Sequence, residues 1–455
     1  MKIESVNPTT GEIIEAREAM TARQANHAIR SADRAWRSWR ETSFAERATL
    51  MHRAGAILRE RADEFAHLMA IEMGKPVAAG RAEIEKCAWG CDYYADNAER
   101  FLSPEPVTTD ASNSYVAFAP LGPILAIMPW NFPFWQVFRF ASPALMAGNV
   151  GLLKHASNVP GCALAIEKVF TDAGFPDRVF TTLLIETKHT KHAIRNPNIA
   201  AVTLTGSTGA GKDVAKTAGQ YLKKSVLELG GSDPYIVLED ADLELAVETC
   251  VASRLINSGQ SCIAAKRFIV VNAIRDEFTR RFVERMRIAR VGDPLQEGTT
   301  VGPLARKDLR DTLHEQVRKS VQGGAKVLLG GEIPPGRGAY YPPTVLANVQ
   351  KGTAAWDEEL FGPVAAIIAA KDEKHAVTIA NDSVFGLGAA VFTRDIERGE
   401  RIARDGLEAG SCFVNAFVKS DPRLPFGGIK ESGYGRELSH FGIREFVNIK
   451  TVYVA

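Results

Sequence analysis

Cys262 is the residue of this sequence best placed to act as a nucleophile. It ends the stretch Asn257–Cys262, a glycine-bearing loop between a predicted helix at 241–255 and a predicted strand at 267–271. Loops held by rigid elements are where catalytic residues concentrate. A thiolate can add to a carbonyl carbon and so divide a difficult reaction into two easier ones. A free thiol has a pKa of about 8.5, so it needs a base or a favourable environment for this role. An inert core cysteine is the alternative.

Three other stretches contain groups that a thiol nucleophile needs. Glu228 follows an apolar strand and precedes two glycines, Asn131 lies within Trp130–Pro133, and Glu359 begins Glu359–Pro363. In their order along the chain, which is Asn131, Glu228, Cys262 and Glu359, the motifs resemble the aldehyde dehydrogenase superfamily. The resemblance runs from about Asn7 to the C-terminus.

The resemblance implies a role for each catalytic group. Cys262 would attack the aldehyde, and the Asn131 amide with the Cys262 backbone N–H would hold the resulting oxyanion. Glu228 would be the general base, first for the thiol and then for the water that hydrolyses the thioester. Relatives that pass the acyl group to coenzyme A generally lack this base, so Glu228 favours release of a free acid.

A nucleotide-binding turn is predicted at Thr205–Gly211. It follows a strand and opens a helix, as a phosphate-binding turn should, although its glycine spacing differs from the common dinucleotide motif. The resemblance places Ser207 near the pyrophosphate, Lys154 at the adenine ribose and Glu359 at the nicotinamide ribose, with Phe361 beside it. The predicted cofactor-binding residues are Trp130, Lys154, Ser157, Gly206, Ser207, Leu229, Glu359 and Phe361.

Ser157 indicates which dinucleotide is preferred. NAD-preferring relatives commonly carry glutamate three residues after the lysine that matches Lys154. A carboxylate there would repel a 2′-phosphate, whereas serine can donate a hydrogen bond to it and Lys154 can pair with it. We therefore predict NADP as the preferred cofactor and NAD as the alternative.

Arg139 is the main indication of the substrate. It lies eight residues after Asn131, where relatives that act on succinic semialdehyde carry arginine, and its fork suits a carboxylate. A surface arginine or a structural ion pair is the alternative. Ser420 resembles a serine that helps to hold the same carboxylate. The predicted substrate-binding residues are Phe132, Trp135, Arg139, Ser261, Ser420 and Phe426.

Three positions depart from the family pattern. Ile256 stands where some succinic semialdehyde enzymes have a second arginine, which leaves glutaric semialdehyde or other short aliphatic aldehydes open as substrates. Ala264 replaces a cysteine that forms a redox-switch disulfide in some relatives. Phe140 replaces a lysine thought to relay protons with the glutamate matched by Glu437, so a purely structural Glu437 also remains open. The predicted reaction is oxidation of succinic semialdehyde to succinate. An inactive structural or binding protein is the remote alternative, which the complete catalytic set disfavours.

The composition indicates a globular protein without a strong overall charge. The 455 residues include 55 basic and 54 acidic side chains, so no global field attracts nucleic acid or anionic membranes. The polar start Met1–Glu4 and the four prolines within Ala119–Trp135 argue against a signal peptide and a membrane span. Six cysteines in so long a chain are not a disulfide framework, and Cys87 and Cys91 lack the partners of a metal site. We expect a cytoplasmic protein without a bound metal.

The elements that must position these groups alternate between strand and helix. Capping-box spacings at Thr21 and Ser43 predict helices before residue 75. From Gly151 short apolar strands alternate with helices, which predicts an α/β fold with a doubly wound parallel sheet. The resemblance implies two such domains and a small β element for oligomerisation.

The predicted division has three parts. A cofactor-binding domain spans 1–227 and contains a hairpin at about 114–130, a catalytic domain spans 228–420, and a return segment with a terminal strand spans 421–455. In the family the hairpin and the terminal strand join subunits, so we expect a homodimer or a dimer of dimers.

Overall fold

The first part of the chain is a layer of helices. The structure is a computed structural model that describes residues 2–455. Its first elements are β1 (Lys2–Val6), β2 (Ile13–Glu18), α1 (Ala22–Trp39), α2 (Phe44–Glu60), α3 (Ala62–Met73) and α4 (Val77–Leu102). Both predicted capping boxes are present, since Thr21 and Ser43 each accept a hydrogen bond from the backbone N–H three residues later. Gly74, with a φ of 77°, ends α3.

A parallel sheet follows. The elements of this part are β3 (Glu105–Pro106), β4 (Asn113–Pro120), β5 (Pro123–Met128), α5 (Trp135–Met146), β6 (Val150–His155), α6 (Pro160–Asp172), β7 (Phe180–Thr182), a 3₁₀ turn (Thr187–His189), α7 (Thr190–Arg195), β8 (Ala201–Thr205), α8 (Thr208–Gln220) and β9 (Lys224–Glu228). The strands lie in the order β9-β8-β5-β6-β7, and every neighbouring pair is parallel. The predicted α/β alternation is therefore confirmed here.

A second sheet is built from the middle of the chain. Its elements are β10 (Pro234–Val237), α9 (Leu243–Leu255), a 3₁₀ turn (Ile256–Gly259), β11 (Arg267–Val271), α10 (Arg275–Arg287), α11 (Lys307–Gln322), β12 (Lys326–Leu329), β13 (Thr344–Ala347), α12 (Ala354–Asp357), β14 (Val364–Ala370), α13 (Glu373–Asn381), β15 (Phe385–Gly386), β16 (Gly388–Phe392), α14 (Ile396–Arg401), a π turn (Ile402–Gly406) and β17 (Ser411–Val414). The order is β12-β13-β14-β11-β10-β16-β17, and only β12 is antiparallel to its neighbour. Hydrophobic clusters cover both faces of this sheet.

The last part of the chain returns to the first sheet. It contains β18 (Ile429–Lys430), β19 (Gly433–Tyr434), α15 (Ser439–Arg444) and β20 (Val447–Val454). Strand β19 pairs antiparallel with β9 and becomes the sixth strand of that sheet. Strand β18 pairs with β15, so the same segment also contacts the middle part of the chain.

The predicted hairpin at about 114–130 is wrong. Strand β4 pairs along its whole length with β20 and also with β3, whereas β5 belongs to the parallel sheet. The two consecutive strands cannot pair because β6 and β8 already occupy both edges of β5. The chain changes direction at Gly122, whose φ of 136° is unfavourable for other residues. The three-stranded sheet β20-β4-β3 therefore leaves β20 at an open edge.

Helix length and polarity bear on membrane association. In residues 2–455 no helix combines the length and the apolar character that crossing a bilayer requires.

Candidate active site

A cavity of about 250 Å³ brings the predicted catalytic and cofactor motifs together. Its lining residues are Pro129, Trp130, Asn131, Thr205, Gly206, Ser207, Leu229, Gly230, Cys262, Leu309, Glu359 and Phe361. Three of them, Pro129, Gly230 and Leu309, belong to no predicted site, and Thr205 begins the predicted nucleotide-binding turn. Leu309 lies on α11, far from every motif, so no sequence signal pointed to it.

The nucleophile loop adopts a backbone conformation that is rare for its residue types. Asn257, Ser258 and Gly259 have φ values of 51°, 57° and 77°, three left-handed residues in succession. Such conformations persist only where surrounding contacts enforce them. A Cβ atom at Gly259 would lie 2.2 Å from the carbonyl carbon of Gly362, so only glycine fits between the two motifs. This close approach brings the Cys262 loop against the segment that carries Glu359.

Buried cations hold this loop in place. Arg254 donates a 2.7 Å hydrogen bond to the Gly259 carbonyl. Lys266 donates to the carbonyl oxygens of Ser261 at 2.9 Å and Cys262 at 2.6 Å, and lies 3.5 Å from a Glu359 carboxylate oxygen. No sequence motif includes Lys266. Only its position between the nucleophile and the start of β11 indicates a role at the site.

The Cys262 thiol is neutral at rest. Burial raises its pKa to about 12, while the charges of Arg139 and Lys266 act in the opposite direction. The thiolate must therefore form as the proton leaves to a base, in agreement with the need for activation that the sequence predicts. Cys162 and Cys250 are fully buried core residues, and Cys412 is half-buried.

Asn131 lies beside the nucleophile, as an oxyanion donor must. Its side-chain amide donates to the Gln260 carbonyl at 3.1 Å, and the Asn257 amide donates to the Asn131 carbonyl at 2.7 Å. These bonds join the two loops. Within residues 2–455, no atom accepts a hydrogen bond from the backbone N–H of Cys262. The second amide hydrogen of Asn131 and this N–H are therefore available to an oxyanion.

A buried ion pair contacts the segment that follows Asn131. Lys75 and Glu83 contact each other with side chains that are 0% and 1% exposed. One Glu83 oxygen accepts hydrogen bonds from the backbone N–H groups of Phe134 and Trp135, each at 2.9 Å. The Lys75 ammonium lies 3.9 Å from the centre of the Phe132 ring. The predicted pocket residue Phe132 thus packs on this pair.

Glu228 ends β9 as a buried carboxylate without a partner. It is 2% exposed, and within residues 2–455 neither carboxylate oxygen accepts a hydrogen bond. Burial and the charge of Glu437 raise its pKa well above the ordinary value, while Arg139 and Arg436 act against this shift. A raised pKa and free oxygens suit a general base that takes a proton from a thiol or from water.

Arg139 forms a buried ion pair with Glu437, the alternative left open by the sequence analysis. The two side chains are 2% and 4% exposed. Arg139 also donates to the Thr205 hydroxyl at 3.3 Å, and its guanidinium lies 4.8 Å from the centre of the Phe426 ring. Glu437 therefore has a cationic partner even though Phe140 replaces the lysine of many relatives. Since Glu437 already neutralises Arg139, a carboxylate-binding role for this arginine stays a prediction.

The cofactor residues lie at the carboxyl edge of the first sheet. Ile127 of β5 is in register with Lys154 of β6 and with Leu204 of β8, so these three strands end together. Lys154 is buried, and within residues 2–455 its ammonium contacts only the Thr187 hydroxyl, at 3.5 Å. Ser157 is exposed a few residues further along the chain.

Ser207 and the aromatic rings complete this edge. Ser207 caps α8 by accepting from the Ala210 N–H at 3.4 Å, and the helix start favours an anion there. The Trp130 and Phe361 rings meet edge to face, with centres 5.7 Å apart. A Cβ atom at Gly230 would lie 2.6 Å from a Glu359 oxygen, so this glycine is needed for the carboxylate to enter the cavity. The donors, the helix start and the carboxylate fit a dinucleotide.

Trp135, which follows Asn131 closely in the sequence, contacts Ser420. The Trp135 indole N–H donates to the Ser420 hydroxyl at 3.0 Å. Lys86 of α4 donates to the same hydroxyl at 2.8 Å. No sequence motif surrounds Lys86, so the sequence does not predict its contact with Ser420. Ser261, the remaining predicted substrate residue, is buried next to Cys262.

Comparisons with known proteins give one family and several relatives of similar length. The model of the aldehyde dehydrogenase family matches residues 1–452. The chain is 50% identical over 455 residues to the probable succinate-semialdehyde dehydrogenase (NADP(+)) of Synechocystis sp., and the match covers 100% of both chains. It is 50% identical to the succinate semialdehyde dehydrogenase (NAD(P)+) Sad of Escherichia coli, covering 99% of this chain and 97% of Sad. The crystal structure of succinic semialdehyde dehydrogenase from Streptococcus pyogenes with NADP+ superimposes with a TM-score of 0.97 at 36% identity, covering 99% of each chain.

Proposed function

Since the chain belongs to the aldehyde dehydrogenase family, we infer that it oxidises succinic semialdehyde to succinate, with NADP as the preferred cofactor and NAD as the alternative. The observation that carries the chemistry is that Asn131, Cys262 and Glu359, from three separate stretches, line one cavity. The substrate and cofactor follow from the succinate-semialdehyde dehydrogenases that are half identical to this chain over its whole length.

The first step is addition of the Cys262 sulfur to the aldehyde carbon. The thiol proton leaves to Glu228, directly or through water, because burial keeps the thiol neutral and the Glu228 oxygens have no other partner. Negative charge then develops on the former carbonyl oxygen. The Asn131 amide and the Cys262 N–H donate to this oxyanion, and loss of one such donor typically costs about 10²–10³ in rate.

The dinucleotide supplies the hydride acceptor when it is bound. Glu359 would accept hydrogen bonds from the nicotinamide ribose, while Lys266 holds this carboxylate and the Cys262 loop at a fixed separation. Lys154 and Ser157 would hold the far end of the cofactor. Collapse of the oxyanion expels the hydride from carbon and leaves a thioester on Cys262.

Hydrolysis of that thioester completes the reaction. Glu228 first releases the thiol proton to solvent and then takes a proton from the attacking water, while the same two donors hold the second oxyanion. The carbon–sulfur bond breaks as this oxyanion collapses, the acid leaves, and the Cys262 thiolate takes the proton from Glu228. Glutaric semialdehyde and other short aliphatic aldehydes are the competing substrates, because the position of the second arginine is Ile256.

Exchange of Ser157 for glutamate should reverse the cofactor preference. A carboxylate near Lys154 repels the 2′-phosphate, so we expect kcat/KM for NADP to fall about 10- to 100-fold while the value for NAD changes little. The measurement is the initial rate with each cofactor against succinic semialdehyde, glutaric semialdehyde and butanal. Ser157→Gln has similar size without the charge and is the matched control. A wild-type enzyme that prefers NAD, or that oxidises butanal as efficiently as succinic semialdehyde, would contradict the proposed function.

We propose the division predicted from the sequence, with parts at 1–227, 228–420 and 421–455. Its support is that the first two parts contain separate parallel sheets, while β19 of the third pairs with β9 of the first. We also propose a cytoplasmic protein, since six unpaired cysteines suit a reducing compartment.

We propose that the chain forms a homodimer or a dimer of dimers through β20. The support is the open edge of this strand, which carries exposed apolar side chains such as Ile449 and Tyr453. Ile449→Asp should shift the sedimentation coefficient toward that of a monomer, because a charge opposes pairing at an apolar edge. Ile288→Asp is the matched control, since Ile288 is 66% exposed and Ile449 is 62% exposed. A wild-type monomer, or equal sedimentation of all three proteins, would contradict the proposal.

A further inference from the structure

Lys86 is a partly buried cation with no carboxylate beside it. It lies on α4, and its ammonium is 4.5 Å from the centre of the Trp135 ring and 2.8 Å from the Ser420 hydroxyl. The acidic side chains near it are already paired, since Glu85 contacts Arg59 at 3.1 Å and Asp421 contacts Arg423 at 2.7 Å. Within residues 2–455 no carboxylate lies within ion-pair distance of Lys86. A cation withdrawn from water without a counter-ion is costly, so its position requires an explanation.

Around Ser420, the polar groups that remain without a hydrogen-bond partner are donors. The Ser420 oxygen accepts from both Lys86 and the Trp135 indole N–H, which occupies its two lone pairs. Its own O–H therefore remains free to donate. An ammonium has three N–H groups, and only one of those of Lys86 is used. The cluster thus presents several donors and one positive charge, and the group it lacks is an anion.

Helix α5 connects this cluster with the surroundings of the nucleophile. Trp135 and Arg139 are four residues apart on α5 and so share one face of the helix. The charge of Arg139 influences both Lys86 and Cys262. The cluster itself borders a cleft lined by Ala82, Glu85, Lys86, Trp89, Lys419, Ser420, Asp421 and Arg423.

We propose that Lys86, together with the Ser420 hydroxyl, binds the carboxylate of the aldehyde substrate while its carbonyl meets Cys262. This inference rests on the proposed function and identifies the group that selects an acidic aldehyde. Lys86 supplies the cation that Ile256 does not, and it does so from a different part of the chain. Arg139 is already paired with Glu437, so Lys86 is the cation with free donors.

The charge of Lys86 gives this proposal a pH signature. Burial, and then the charge of Arg139, lower the pKa of Lys86 to about 8, while Cys87, Glu83 and Asp421 act in the opposite direction. Lys86 is protonated and charged below that pH and loses its charge above it. The KM for succinic semialdehyde should therefore rise between about pH 8 and 10, whereas the KM for butanal, which has no carboxylate, should not follow this change.

The test compares Lys86→Met and Lys86→Arg in the full-length enzyme with NADP. Lys86→Met should raise the KM for succinic semialdehyde about 10- to 100-fold, leave kcat within about threefold and leave the KM for butanal nearly unchanged. Lys86→Arg should restore most of the binding and remove the rise in KM above pH 8, because guanidinium stays charged. Lys326→Met removes the same charge from an exposed residue of β12, outside this cleft, and should change the KM less than about twofold.

The outcomes separate this inference from the proposed function. Equal losses with succinic semialdehyde and butanal in Lys86→Met would overturn the carboxylate role, as would an unchanged KM or no recovery in a folded Lys86→Arg enzyme. A wild-type enzyme with no preference for succinic semialdehyde over butanal would instead contradict the proposed function. Thermal unfolding of each variant shows which of them are folded.

Discussion

Replacement of Cys262 by alanine should abolish aldehyde-dependent NADP reduction, with kcat/KM falling by at least about 10⁴-fold. Without the sulfur no covalent adduct forms, and an aldehyde does not release hydride from its carbonyl carbon. The Asn131 amide and the dinucleotide residues remain in place, so the variant still binds NADP. NADPH fluorescence measures the rate, and quenching of tryptophan fluorescence measures cofactor binding.

Cys412→Ala is the control for this loss. Cys412 is the other half-buried thiol of the chain and lies outside the cavity lining, so its removal should leave kcat/KM within about twofold. Comparable loss in both variants would indicate that thiol removal damages the fold. Residual oxidation by the Cys262→Ala enzyme above about one hundredth of the wild-type rate would rule out the covalent mechanism.

Glu228→Gln separates the two halves of the reaction. Glutamine cannot accept the proton of the hydrolytic water, so steady-state turnover should fall by about 10²–10⁴. If a fraction of the thiol still reacts, the first turnover releases about one NADPH per site and then stops at the thioester. Stopped-flow fluorescence detects this burst, and mass spectrometry of the quenched protein detects the acyl group on Cys262. Steady turnover without a burst at the wild-type rate would exclude Glu228 as the base.

The pH dependence of the same variant has a definite sign. Burial and Glu437 raise the folded-state pKa of Glu228, so the protonated acid favours folding below its unfolded-state pKa and this contribution is lost as the pH rises through the folded-state pKa. Glutamine resembles the protonated acid at every pH. Glu228→Gln should therefore unfold at a higher temperature than wild type in alkaline buffer, with the difference shrinking toward acidic pH. Glu332→Gln, at an exposed loop residue, is the control and should show no such trend.

Local sequence signals determined much of the secondary structure. The capping boxes at Thr21 and Ser43 were predicted because their hydrogen bonds join residues three apart. The run Val364–Ala370 is apolar throughout, a pattern typical of a buried strand, and it forms β14. The Arg-rich stretch after 275 has Phe278, Phe282 and Met286 at helical spacing, and these three residues are buried in α10. Each of these patterns is complete within a few residues, so it needs no tertiary contact to be recognised.

Asn131 and Cys262 were predicted from sequence as catalytic residues and Glu359 as a cofactor-binding residue, since short motifs carry all three. The resemblance placed these motifs together, and the structure has all three in one cavity. What the motifs did not contain was their support. The left-handed run at Asn257 and the Lys266 clamp follow from contacts with distant backbone, which composition and spacing do not reveal.

Only the tertiary structure decided which groups face one another. The hairpin prediction failed because β5 is paired on both edges and the partner of β4 is the last strand of the chain. The ion pair of Arg139 with Glu437 joins the first third of the sequence to the last third. Lys86 meets Ser420 across 334 residues. Sequence by itself identifies which chemistry this chain can perform, because that chemistry resides in short motifs. Which charges are neutralised and which remain free for a substrate depends on packing between distant elements, and that is determined by the fold.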